Sequence, residues 1–196
     1  MTCMKNIFAL LLMFLFVVSC DTKNEPTLEE ETFSFVRIEY FVRDDSREFI
    51  SFRIPGVTYS NDGNIEQRFL FTPILGIIEK TSHFRIEDFE SFRIVDAEVF
   101  APVHIDESDN IFLGSRKWTY NLFLQAQRST DDSPVEIIVP ANTLSTTTVQ
   151  LNYRRYRADY KLFLRGDKTG TIKTIEGVWI GEYLDSHQIN TTQIEL

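Results

Sequence analysis

The chain has 196 residues, enough for one sizeable domain or two small ones, with 29 acidic against 20 basic side chains and a net charge of −9. An acidic balance of that size argues against nucleic acid as a partner and against an electrostatic grip on anionic lipid. The 17 Phe beside only 8 Gly and 6 Pro point to a packed body of strand formers, unlike a disordered tail.

The first element is an unbroken apolar run, Ile7 to Val18, preceded by Lys5. As a helix it would reach about 18 Å, short of a hydrocarbon core of about 30 Å, so it reads as the apolar region of a secretory signal. It ends in Val17-Val18-Ser19-Cys20, followed at once by polar Asp21-Thr22-Lys23-Asn24. These residues resemble the lipobox of bacterial lipoproteins. The resemblance implies that Cys20 receives a diacylglycerol, becomes the first mature residue and is acylated, which anchors the chain at roughly 0.8 kcal/mol per buried CH₂. Ser19 also suits an ordinary cleaved signal, but a cysteine at the boundary with polar residues behind it favours lipidation. In enterobacterial lipoproteins an aspartate in the place of Asp21 implies inner-membrane retention. The Ser-Cys ending and Glu29-Glu30-Glu31 are more similar to lipoproteins of the Bacteroidota, where surface display is common. An outer-membrane address in the cell envelope is therefore expected, with the periplasmic or surface face left open. Removal of residues 1–19 also removes Cys3, so no disulfide, thiolate zinc site or cysteine nucleophile is expected in the folded part.

The expected organisation is a signal peptide over 1–19, the lipidated cysteine and an acidic tether over 20–32, and a single β-rich domain over 33–196, with a subdivision near 101–112 left open. Twelve flexible tether residues would give about 20 Å of reach. From Phe33 the apolar period becomes two: Val36, Ile38, Tyr40 and Val42 share one face, and Ile50, Phe52 and Ile54 share another after Asp44-Asp45-Ser46, which together predict a hairpin. Ser60-Asn61-Asp62-Gly63-Asn64 is a turn signal. The stretch from 83 to 90 fits a short helical turn, with Phe84, Glu87 and Asp88 at helical spacing, or two short strands; a strand is predicted from Phe92 to Phe100. Trp118, Tyr120, Leu122, Leu124 and Ala126 alternate as one strand, and further strands are predicted over Val135–Val139, Thr146–Tyr153, Ala158–Arg165, Thr171–Ile180 and Gln188–Leu196. Gly166-Asp167-Lys168-Thr169-Gly170 makes a hairpin turn. The fold class is all-β, an antiparallel sandwich or an elongated β-domain.

Chemistry-bearing patterns are few. His83, His104 and His187 stand in separate segments with no partner at ligand spacing, so a metal site is not expected. Asp106, Ser108 and Asn110 occupy the first three oxygen positions of a calcium loop, but Ile111 and Lys117 replace its glycine and its bidentate glutamate, which favours an acidic turn. No nucleophile elbow, zinc-protease, phosphate-loop or dinucleotide pattern occurs, and neither an enzyme nor a cofactor is expected. Asp44-Asp45 and Asp131-Asp132 could serve glycoside chemistry only if two carboxyls converge in a cleft. Tyr153-Arg154-Arg155-Tyr156-Arg157 is a basic cluster in an acidic protein. It is a candidate patch for a phosphate, carboxylate or sugar, or else a hairpin end whose arginines pair with local acids.

The stretch from 135 to 184 resembles the C-terminal strands of aerolysin and epsilon-toxin-like proteins at Val139, Pro140, Thr143, Tyr160, Gly177 and Gly181. The resemblance implies a shared β architecture. Residues 100–128 depart from it, being short, charged and bulky where the pore formers carry a long Ser/Thr-rich insertion hairpin. The sequence thus supports a membrane-anchored, non-enzymatic envelope lipoprotein that binds or assembles. Its partners would be the membrane through its N-terminal lipid and an envelope protein complex or a glycan. The alternatives are an aerolysin-like membrane-active β protein and a surface carbohydrate-binding or carbohydrate-processing accessory protein.

Overall fold

A computed structural model of the chain describes residues 31–86 and 97–196. The signal segment, Cys20 and nearly all of the tether lie outside the described residues, as does most of the strand predicted from Phe92. The described part is all-β and antiparallel. In chain order the strands are β1 (Phe33–Asn61), β2 (Gln67–Phe71), β3 (Ile78–Ile86), β4 (Glu98–Ile105), β5 (Ile111–Thr119), β6 (Gln125–Arg128), β7 (Val135–Val139), β8 (Thr143–Gly166) and β9 (Ile172–Glu195). The main sheet has the order β1-β8-β9-β3-β6, and β2-β7 and β4-β5 are separate two-stranded ribbons.

Three strands of 29, 24 and 24 residues make the frame. At about 3.3 Å per residue, β8 alone runs some 80 Å. These strands join segments that the sequence pattern separates. The expected hairpin of residues 33–43 with 47–54 does not form: both halves lie in β1 and pair with β8. Asp44-Asp45-Ser46 is a bulge instead of a turn, the step from Val42 to Arg47 on β1 matching only Ala158 to Tyr156 on β8. Likewise Thr146–Tyr153 joins Ala158–Arg165, and Thr171–Ile180 joins Gln188–Leu196. The strand expected through Trp118 and Ala126 divides, because β5 ends at Thr119 and β6 begins at Gln125 on a different partner. A helical turn is not formed at residues 83–86, which finish β3 with Phe84 opposite Trp179; residues 87–90 lie outside the described part. The turn at 166–170 forms as predicted, with Gly170 at φ 72°, a left-handed conformation that glycine adopts without steric cost.

Successive residues of a strand face opposite sides of its sheet. On β8 the residues buried in one core are Val149, Leu151 and Tyr153, all odd, and those in the other are Tyr156, Ala158, Tyr160, Leu162 and Leu164. The pairing of β8 with β1 is unbroken from Tyr153 to Tyr156. The two cores therefore cover opposite faces of one sheet, at opposite ends of its long strands. The β4–β5 ribbon covers the first face with Val99, Ala101, Ile105 and Trp118, against Phe84, Tyr160 and Trp179. Phe71, Ile74 and Ile77 cover the second, beside Ile50 and Ile54. Each large side chain fully buried here contributes about 1.5–3 kcal/mol.

Among the described residues the β4–β5 ribbon shares no ladder with the main sheet, and side chains bond it there. Tyr40 donates to the Phe100 carbonyl at 3.0 Å and Tyr183 to the Pro102 carbonyl at 2.7 Å. Beneath it the Tyr120 and Tyr160 hydroxyls bond at 2.9 Å, and burial pushes Tyr120 up to about 12. Trp179 donates from Nε1 to the buried Ser82 hydroxyl at 2.9 Å. Gly177 stands opposite Tyr160, whose ring lies across it; an added Cβ would meet the Tyr160 hydroxyl at 2.8 Å and collide with the Arg85 carbonyl. Gly177→Ala is expected to cost about 1–3 kcal/mol or more by overpacking, read as a lower midpoint in denaturant titration with an unchanged slope.

Candidate functional site

The basic cluster lies in the middle of β8 and not at a hairpin end, at the point where burial passes from one face to the other. Parity therefore divides its side chains. Tyr153 points into one core, buried, and donates to the Ile78 carbonyl at 2.6 Å, while Phe52 stacks on it at 5.3 Å between centroids. Arg155 and Arg157 project to the same side as Tyr153, where no apolar cover remains. There Arg155 bonds Glu182 at 2.6 Å and Glu48 at 3.0 Å, and Arg157 bonds Glu48 at 2.6 Å. The row continues as Arg43 with Asp45 and Asp159 and as Lys161 with Glu176 at 2.7 Å. These pairs tie β1, β8 and β9 together through cross-strand contacts, and each is worth little by itself at an exposed position.

Arg154 and Tyr156 project to the other side. The Tyr156 hydroxyl bonds His104 Nδ1 at 2.9 Å, and Arg154 donates to Asp185 at 2.7 Å with its guanidinium 5.1 Å from the Phe49 ring centroid. Arg47 donates to the Asp106 carbonyl and to Asp109 at 3.3 Å. Together with the turn after β4 these residues enclose a groove of about 500 Å³. It borders the predicted cluster, whose even-numbered side chains form its floor. Arg47 and Phe49 were not apparent as site residues from the sequence. The available signal was an aromatic ring on the polar phase of β1, and it points to a site only once β8 is known to lie beside it.

The Asp106–Asn110 stretch, expected as an acidic turn with calcium as the lesser alternative, closes on itself. Asp106 accepts from the Ser108 and Asn110 amides at 2.9 and 2.8 Å and from Asn110 Nδ2 at 2.9 Å, which holds its carboxyl below the usual range. Its oxygens are thus spent on the turn, and Asp109 takes a left-handed φ of 63°. No group of three or more His, Cys, Asp or Glu that could hold a metal ion occurs among the described residues. His83 Nε2 lies 3.2 Å from the Leu122 carbonyl, and His187 stands exposed on β9. Asp45 is engaged by Arg43, and Asp131 caps the Ser133 amide at 2.9 Å.

No protein-family model matches the chain, and no curated protein matches it. Among solved structures it is similar to the lamprey immune protein, at 18% identity and a TM-score of 0.49 over 83% of this chain and 53% of that one. It is also similar to the parasporin-2 toxin of Bacillus thuringiensis, described as recognising cancer cells, at 13% identity and 0.49 over 83% and 74%. The aerolysin-like protein of Bombina maxima matches at 12% identity and 0.40 over 82% and 100%. The chain spans about half the length of the lamprey protein.

Glu48 joins Arg155 and Arg157, and its carboxyl is held below its ordinary 4.5, first by Arg157 and then by Arg155. A lowered folded value stabilises fully above the ordinary one and is lost as pH falls through it. Thermal unfolding of the wild type is therefore expected to shift downward as pH drops from about 5 to about 3. In Glu48→Gln that shift should be smaller, and an identical pH profile for the two proteins would show that the pair does not act in the fold.

Proposed function

We propose that this chain is a lipid-anchored, non-enzymatic envelope protein of aerolysin-like architecture, which acts by strand-to-strand assembly at a membrane. The observation that carries the reading is the far end of the three-strand frame. There Thr146, Thr147 and Thr148 of β8 stand opposite Thr192, Thr191 and Asn190 of β9. Beyond Leu184, β9 pairs with β8 alone, and β1 pairs only with β8 along its whole length, among the described residues. Strands that are polar on both faces specify register weakly, and edges with one partner are templates for another strand. The buried Ser145 and Thr147 hydroxyls lie on this stretch and find no hydrogen-bond partner among the described residues.

The lipobox-like Val17-Val18-Ser19-Cys20 supports the anchor. Tethering confines copies to a surface and raises their effective concentration without any new contact. The missing catalytic motifs and the engaged carboxylates support a role in binding or assembly.

Liposomes loaded with a self-quenching dye test the reading. The mature lipidated protein is expected to form discrete oligomers on the vesicles and release the dye, and Cys20→Ala should need at least about tenfold more protein for equal release. A protein that stays monomeric on vesicles and releases no dye would overturn the proposal. Mass spectrometry of the mature N-terminus reports the anchor separately: an unmodified, released protein would remove Cys20 from it.

A further inference from the structure

Where the β4–β5 ribbon stops, the face it protects continues as an open ledge. Phe49, Arg154 and Tyr156 form the floor, and His104, Asp106 and Glu107 on the turn after β4 form the wall. The volume of about 500 Å³ falls within the range of about 300–1,000 Å³ usual for small-molecule sites. Phe49 is 67% exposed in mid-strand and belongs to neither core, so core packing does not account for an aromatic ring at this position, which meets the Arg154 guanidinium.

The polar groups around the ring are preset. Asp185 fixes Arg154, Asp109 fixes Arg47, and Tyr156 fixes His104. Each holds its position through a protein partner, so a ligand would meet oriented donors and acceptors at a reduced ordering cost. On the groove's side of the sheet the charges balance, with Arg47 and Arg154 against Asp106 and Glu107, since Glu48 and Arg155 pair on the opposite face. Asp109 and Asp185 pair with Arg47 and Arg154, which leaves the groove without the excess positive charge that a phosphate or carboxylate would need. A flat apolar platform beside balanced hydrogen-bonding groups suits a ligand with one apolar face and a rim of hydroxyls.

We propose that this groove binds a neutral saccharide, with Phe49 under the apolar face of a sugar ring and Arg154, His104 and Glu107 bonding its hydroxyls. The ligand would enter from the open side of the ledge, so no movement of the ribbon is needed. This site stands apart from the Thr-rich strand ends and is independent of membrane assembly.

Isothermal titration of the mature protein with soluble neutral oligosaccharides is the test, using α- and β-linked glucans, mannans and N-acetylglucosamine oligomers, with inorganic phosphate and oligogalacturonate alongside. At least one neutral oligosaccharide is expected to bind in the millimolar range or tighter, and Phe49→Ala and Glu107→Gln should each weaken it about tenfold or more. Both side chains are exposed, and unchanged thermal unfolding of the two variants would show that the loss is local. Binding that survives Phe49→Ala, no binding by any neutral oligosaccharide, or binding confined to phosphate or oligogalacturonate would overturn the proposal.

Discussion

The strict alternation of side chains along β8 is the constraint on which the rest of the structure depends. A strand held between β1 and β9 cannot rotate, so Tyr153 and Tyr156, three residues apart, must face opposite sides of the sheet. Both are buried, which is consistent only with one cover ending on one face where another begins on the other. Two small cores offset along an 80 Å frame follow from this, where a conventional sandwich would stack its layers over one face. The step between them creates the charged row around Arg155 and Arg157 on one side and the groove at Phe49 on the other.

The same geometry explains how the covers are attached. The β4–β5 ribbon contributes apolar side chains to the core yet bonds the sheet through tyrosine hydroxyls and its own carbonyls. Tyrosine suits that interface, since its ring is buried while its hydroxyl satisfies a backbone acceptor that would otherwise be stranded. Gly177 and Gly181 keep β9 clear so that Tyr160 and Trp179 can lie against it. These two glycines belong to the aerolysin-like pattern in the sequence, and here their role is one of packing.

Much of the fold was legible because short-range alternation is a direct reading of which side chains face a core. The all-β class, the β7 limits and the turn at 166–170 follow from residues such as Ile137, Val139 and Gly170. The long strands were not legible. The parity slip at Tyr153-Arg154-Arg155-Tyr156 looks like a break, although it marks a change of buried face within one strand. Asp44-Asp45-Ser46 has turn composition but is absorbed as a bulge, a choice made by pairing with β8, over 100 residues away. The basic cluster was visible as a patch, whereas its division between two faces, and the recruitment of Arg47 and Phe49, depend on register that no local pattern encodes.

A long, polar-ended frame with single-partner edges among the described residues requires β8 to be one continuous strand. Native-state hydrogen exchange followed residue by residue along β8 tests that requirement most directly. Pairing of every residue with β9, and of all but Thr147 and Arg157 with β1, predicts slow exchange from Leu144 to Arg165 with no interruption spanning Arg154–Arg157. Rapid exchange confined to Arg154–Arg157 between two protected segments would contradict it, because the cluster would then be a loop joining two strands.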